Sequence, residues 1–163
     1  MNVDQILQAL NCVGVDYLLI GGMNFLLRHL PELTFDVDIW VRDDDKNLER
    51  LNGAIRSLDA QWGPTEREWA PVSVDWHWLK TQQLFCLTTK FGALDIFRDV
   101  AGLENQYDQC KLRAITGTTT TGVAYNGLSD EDMLTSQEIL PPKEQKPKRI
   151  EVLRAAVRGR QRQ

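Results

Sequence analysis

The chain has 163 residues, 42% of them hydrophobic and 26% charged, with a net charge of −4. That length suits a single domain able to bury about two-thirds of its unfolded surface, and the composition excludes disordered and fibrous classes. No apolar run approaches the ~20 residues of a membrane span.

The N-terminus, MNVDQILQAL, lacks the basic region and small-residue cleavage site of a secretory leader. Cys12, Cys86 and Cys110 are odd in number and show no C-x-x-C spacing. That pattern argues against a disulfide framework and a zinc knuckle, and for a cytoplasmic protein.

Residues 2–13 read as an amphipathic helix with Val3, Ile6, Leu7, Leu10 and Val13 near 3.6-residue spacing, ended by Gly14. Tyr17-Leu18-Leu19-Ile20 is a short buried strand, followed by Gly21-Gly22 and a helical pattern through Met23, Phe25, Leu26 and Leu27. A Pro-Glu turn leads into a second strand, Phe35 to Val41. Alternation puts Val37, Ile39 and Val41 on one face and Asp36 and Asp38 on the other, with Cα atoms roughly 6.5–7 Å apart. A dry core does not accept two such carboxylates, so that face is solvated or holds a cation.

Asp43-Asp44-Asp45 opens a helix with core positions Leu48, Leu51, Ile55 and Leu58. Asp at a helix start caps free N–H groups and suits the positive end of the dipole. Residues 60–83 hold a short strand near Ala60–Trp62, then a loop rich in tryptophan. Two readings stand for it: a wall of a binding pocket, or Trp69, Trp76 and Trp78 folded back over the core's edge.

Leu84 to Phe97 reads as two strands around a tight turn at Lys90-Phe91-Gly92, with Ala93, Asp95 and Phe97 on one face. An irregular segment, Val100 to Gln109, precedes a hairpin of Leu112–Thr116 and Thr119–Tyr125 turning at Gly117. Ser129 is the N-cap of a helix, with Asp132 at the capping-box position and Leu128 and Met133 spaced as a hydrophobic staple. That helix stops before Pro141-Pro142, and a last one runs from about Lys148 with Ile150, Leu153, Ala156 and Val157 buried. Residues 143–162 carry a charge of +6 against −10 for the rest. Such a tail either attracts nucleic acid or polyphosphate, or is a solvated helix end.

A strand, Gly21-Gly22, a helix, and then Asp36-Val37-Asp38-Ile39 after 13 intervening residues resembles the nucleotidyltransferase superfamily, with its polymerase-β-like core. Gly92-Ala93-Leu94-Asp95-Ile96-Phe97 supplies the third carboxylate that the family carries on a later strand. The resemblance implies an α/β (α+β) fold: a small mixed sheet flanked by helices, in one domain with a core over about 1–125 and a helical part over about 127–163. Small members of toxin type and aminoglycoside type are the most similar. It implies transfer of a nucleoside monophosphate from a nucleoside triphosphate to an acceptor hydroxyl, with release of pyrophosphate.

On that resemblance Asp36, Asp38 and Asp95 are catalytic and ligate Mg²⁺ or Mn²⁺, and Asp95 helps deprotonate the acceptor. Two ions some 3.5–4 Å apart can stabilise both attacking and leaving oxygens. Gly21 and Gly22 let a phosphate approach the backbone and the helix start behind them. Thr34 could hydrogen-bond a phosphate, Arg28, Arg42 and Lys90 are candidate phosphate clamps, and Trp40 could stack a base. RNA 3′ ends, a small molecule and a protein side chain all fit as acceptor.

The C-terminal segment departs from a toxin-like K-x4-R-x-K-D pattern. Gln137 stands at the first lysine and Arg149 at the aspartate, with Lys146 or Lys148 as substitutes. Two rival functions are a non-catalytic, antitoxin-like binding protein and a phosphodiesterase or nuclease using the same carboxylates.

Overall fold

The structure is a computed structural model and describes residues 1–161. Chain order is α1 (Val3–Cys12), β1 (Tyr17–Ile20), α2 (Gly21–Arg28), β2 (Asp36–Val41), α3 (Asp45–Ser57), β3 (Gln61–Trp62), β4 (Ala70–Pro71), β5 (Leu84–Thr89), β6 (Gly92–Phe97), α4 (Tyr107–Leu112), β7 (Ile115–Thr118), β8 (Ala124–Gly127), α5 (Asp130–Glu138) and α6 (Pro147–Gln161). Short 3-10 helices cover Glu66–Glu68 and Trp76–Lys80.

The strands form one mixed sheet in the order β4-β3-β5-β6-β2-β1-β8-β7. It is parallel at β1–β8 and β2–β6 and antiparallel elsewhere. The expected mixed sheet flanked by helices is present, though eight strands wide: the two-residue β3 and β4 extend one edge and the β7–β8 hairpin the other.

Alternation along the strands separates two apolar layers. On one face Val37, Ile39, Leu94 and Ile96 meet Ile6, Leu10, Leu48 and Leu51 of α1 and α3, all fully buried. Each such side chain contributes about 1.5–3 kcal/mol. On the other face Leu18, Ile20 and Trp40 meet Phe25, Leu128, Met133 and Leu153. The C-terminal helices thus cover half of that face and leave the other half, with its aspartates, open.

Helix starts follow the capping chemistry in the sequence. Asp44 accepts from the Asn47 N–H (2.9 Å), and Ser129 accepts from the Asp132 N–H (3.1 Å). The 60–83 stretch divides between its two readings. Trp62, Trp76 and Trp78 pack against the core, and Trp78 Nε1–H donates to Asn52 Oδ1 at 2.9 Å. Trp69 stays 39% exposed.

Two expectations change. Residues 107–112 are helical, and Leu112, read as strand, ends that helix at 89% exposure. Gly117 lies inside β7 opposite Tyr125, where a Cβ would come within 2.7 Å of the Tyr125 hydroxyl. The glycine serves side-chain packing, and the turn falls at Thr119–Val123, with Gly122 at φ +90°. In the basic C-terminal stretch only Arg149 is buried among the described basic residues, paired with Glu32, while Arg154 pairs with Glu138 and Arg160 with Asp130 from exposed positions. Arg162 lies outside the described residues. Among those described, no helix is long and apolar enough to cross a membrane.

Candidate active site

Strand pairing brings the carboxylates together. β2 and β6 run in parallel with Asp36 opposite Ala93 and Asp38 opposite Asp95. Directly paired residues project to the same side of a sheet. Asp36, Asp38 and Asp95 therefore converge on the open face, and one oxygen from each lies within 4.8 Å of the others.

This convergence is electrostatically costly. Burial, then the neighbouring Asp36 and Asp95, push Asp38 up to about 7, against the Gly22 N–H and Arg149, which pull it down. Burial and Asp36 also raise Asp95, whose partner in part compensation is the Cys86 thiol. Burial and the acidic cluster push that thiol up to about 11. Three half-buried oxygen donors with unbalanced negative charge are what a hard divalent cation prefers.

The sign of the pH effect follows. A carboxyl raised from 3.8 to about 7 holds its proton longer when folded, so the metal-free fold loses stability as pH rises between those values. Mg²⁺ should therefore stabilise the fold clearly at ~pH 8, by ~2–3 kcal/mol at a hundredfold excess over Kd with a matching rise in melting temperature, and little at ~pH 5. Equal shifts at both pH values, read by thermal denaturation, would contradict metal binding at this cluster.

Beside the triad, Gly21 adopts φ +63°, a conformation that a side chain strains. A Cβ there would also overlap Asp38 Oδ2. A Cβ on Gly22 would lie 3.0 Å from Thr34 Oγ1 and 3.4 Å from Arg149 Nη2. The bend, its helix start, Thr34 and Arg149 thus form one side of the site. Thr34 donates to Asp36 Oδ1 at 3.1 Å.

Arg149 is the residue that sequence spacing did not single out as a ligand contact. It sits on α6, 8% exposed at its side chain, with Nε donating to Glu32 Oε2 (3.1 Å) and the guanidinium 5.6 Å above the Phe25 ring. Only the docking of α6 reveals it, because more than a hundred residues separate it from Gly22. A cleft of about 200 Å³ lies between Gly21, Asp38 and Arg149 on one side and Val100, Met133 and Leu140 on the other.

Other candidates lie elsewhere. Arg28 is turned away, paired with buried Asp130 and donating to the Leu128 carbonyl at 2.6 Å. Lys90 pairs with Asp59 at 3.0 Å in the β5–β6 turn. Arg42 pairs with Asp16 and Asp108. None of the three lines the cleft. Trp40 is 1% exposed, its Nε1–H held by the Arg98 carbonyl at 3.3 Å, so it has no free face for a base.

No protein-family model matches the sequence, and no curated protein aligns with it significantly. Solved structures do. A solution structure of the antibiotic-resistance factor ANT(2″)-Ia superposes with a TM-score of 0.53 at 15% identity, over 97% of this chain and 90% of that one. A crystal structure of ANT(2″)-Ia in complex with adenylyl-2″-tobramycin gives 0.53 at 14% identity, over 97% and 95%. The fold is that of the nucleotidyltransferases, and it resembles the aminoglycoside type.

Proposed function

We propose that the chain is a metal-dependent nucleotidyltransferase, moving a nucleoside monophosphate from a nucleoside triphosphate to an acceptor hydroxyl. The observation that carries this reading is the parallel pairing of Asp38 with Asp95, which assembles three carboxylates beside a glycine bend. A non-catalytic scaffold has no use for like charges held together at a cost to the fold.

In this reading Asp36, Asp38 and Asp95 hold Mg²⁺ or Mn²⁺. When bound, the metal supplies charge neutralisation to the triphosphate and the leaving oxygen. Gly21 and Gly22 admit the triphosphate to the N-terminus of α2, where free N–H groups face an anion. Thr34 adds a hydroxyl donor, and Arg149 a planar cation suited to phosphate oxygens. The apolar side of the cleft, around Val100, Met133 and Leu140, receives the nucleoside.

The acceptor oxygen attacks the α-phosphorus, the bond from that phosphorus to the bridging oxygen breaks, and pyrophosphate leaves. The acceptor's proton passes to Asp95, the carboxylate contributed by β6, as general base. Protein groups here chiefly position reactants and balance charge.

The test uses nucleotide labelled at the α- or the γ-phosphate. The α-label should enter an acceptor and the γ-label should appear in pyrophosphate, both only with divalent metal. Release of labelled monophosphate from nucleic acid, with no triphosphate present, would instead point to a phosphodiesterase. Arg149→Gln should raise KM for the nucleotide about tenfold with kcat nearly unchanged, as expected for loss of uniform binding. Arg149→Lys should recover part of it by restoring the charge without the fork. Unchanged nucleotide KM in both variants removes Arg149 from the site.

A further inference from the structure

Arg149 is 8% exposed at its side chain and pairs with Glu32, in the loop between α2 and β2. The Glu32 carboxylate accepts from Nε at 3.1 Å and from Nη2, so it covers one edge of the guanidinium. The Phe25 ring, 5.6 Å from the guanidinium carbon, covers one face. Two of the five N–H donors are thereby used. The other three have no protein partner among the described residues.

We propose that Glu32 is a positioning residue for phosphate binding: it fixes the Arg149 fork so that the opposite edge faces the phosphates at the glycine bend. The inference rests on the transferase reading above and adds a residue that touches no substrate itself.

Three observations carry it. First, the free donors lie toward the site. Nη2 is 3.4 Å from the point a Cβ would take on Gly22, and Arg149 lines the cleft together with Gly21 and Asp38. Second, Arg28 is as buried as Arg149 but spends its donors on the fold. Its Nη1 donates to the Leu128 carbonyl at 2.6 Å and its Nη2 to Asp130. Buried polar groups ordinarily find such partners. Arg149 keeps donors in reserve on the side where the triphosphate is proposed to bind.

Third, the loop that carries Glu32 is anchored at the site. Two residues on, Thr34 donates to Asp36 Oδ1 at 3.1 Å, so one short segment holds both the phosphate cation and a proposed metal ligand. Glu32 is also the one carboxylate lining the groove behind Arg149, where Lys146 and Lys148 lie. Without it, an arginine with about 2 kcal/mol of rotamer entropy has like charges beside it and nothing to fix its plane. Glu32 does not need to leave when phosphate arrives. Its bonds to Nε and Nη2 spare Nη1 and the second Nη2 hydrogen, the edge that a bidentate phosphate takes.

The full chain is titrated calorimetrically with Mg²⁺–ATP and with Mg²⁺–tripolyphosphate, which offers phosphates without a base. Glu32→Ala should weaken binding of both by about fivefold, the size of a coupling between residues in contact. Glu32→Gln should weaken it less, since its oxygen keeps one of the two bonds. In an Arg149→Gln background Glu32→Ala should cost nothing further, because Glu32 acts only through Arg149. Tighter binding by Glu32→Ala would show that carboxylate and phosphate compete for the fork, and overturns the inference. An equal loss in both backgrounds overturns it too, as does unchanged binding. If Glu32→Ala does not fold, Glu32→Gln in the two backgrounds decides in the same way. A parent chain that binds neither Mg²⁺ compound, or Arg149→Gln binding as tightly as the parent, overturns the proposed phosphate site itself, and the role of Glu32 with it.

Discussion

Asp38→Asn should lower nucleotidyl transfer by about a thousandfold or more while leaving the protein at least as stable as the parent. The activity loss follows from the proposed role, since one ligand and one negative charge leave the site where the triphosphate's charge must be balanced. Losing a single preorganised electrostatic group of this kind costs roughly 10²–10³ in rate, and loss of metal deepens it.

The stability effect has the opposite sign. Asp38 is held next to Asp36 and Asp95 with its carboxyl raised to about 7. Above that pH the metal-free fold carries an ionised, partly desolvated group among like charges, a cost on the order of 3 kcal/mol. Asparagine removes it. The melting temperature of the metal-free variant should therefore rise at ~pH 8 and change little at ~pH 5, where Asp38 is already protonated.

Asp95→Asn should lose kcat to a comparable extent while nucleotide affinity falls less, because the proposed proton transfer is needed only in the transition state. Loss of activity together with loss of stability in both variants would instead mean that these carboxylates hold the fold.

Asp130→Ala should destabilise the protein by about 3–5 kcal/mol, the usual cost of leaving buried charges unpaired. The Asp130 carboxylate is fully buried and accepts from Arg28, from His29 Nε2 at 2.8 Å if that nitrogen carries the proton, and from Arg160. Those partners lie on α2, at its C-terminal end and on α6, so one side chain at the start of α5 ties the helical elements of the open face together. Asn24, fully buried on α2, adds a bond from its amide to the Leu128 carbonyl at 3.0 Å. Burial, then Arg28 and Arg160, lower His29's affinity for a proton, and with His29 neutral the two arginines are balanced by Asp130 and by Glu131, which pairs with Arg160 at 3.5 Å.

Arg160→Ala should cost much less, about 1 kcal/mol or under, because that side chain is 45% exposed and its charge returns to water. Urea denaturation of the two variants provides the comparison. Similar small losses would show that the cluster carries little of the fold's stability. Since α2 begins at the glycine bend, Asp130→Ala should also raise nucleotide KM.

The expectations that held depended on short-range periodicity. Asp36 and Asp38 share a face because side chains alternate along a strand, and Asp44 and Ser129 cap helices because their side chains reach N–H groups two or three residues away. Those that changed depended on what a residue meets across the molecule. Trp40 shares a face with the aspartates, yet α4 lies over it, with Tyr107 at 5.2 Å edge-on. Gly117 looked like a turn because glycine favours turns, whereas the Tyr125 ring is what needs the space. Arg28 and Arg149 are both arginines near helix ends, and nothing local distinguishes the one bound to Asp130 from the one beside Gly22.

The amino-acid order by itself determined the two carboxylates on one strand, the third on another, the glycine bend and the helix caps, since each arises from backbone geometry within a few bonds. Tertiary structure alone decided that β2 and β6 are neighbours in a register setting Asp38 against Asp95. It also decided that α6 delivers Arg149 to the bend. Those outcomes depend on how the apolar faces of distant segments pack, and hydrophobic burial depends on the area covered without specifying which segments must meet.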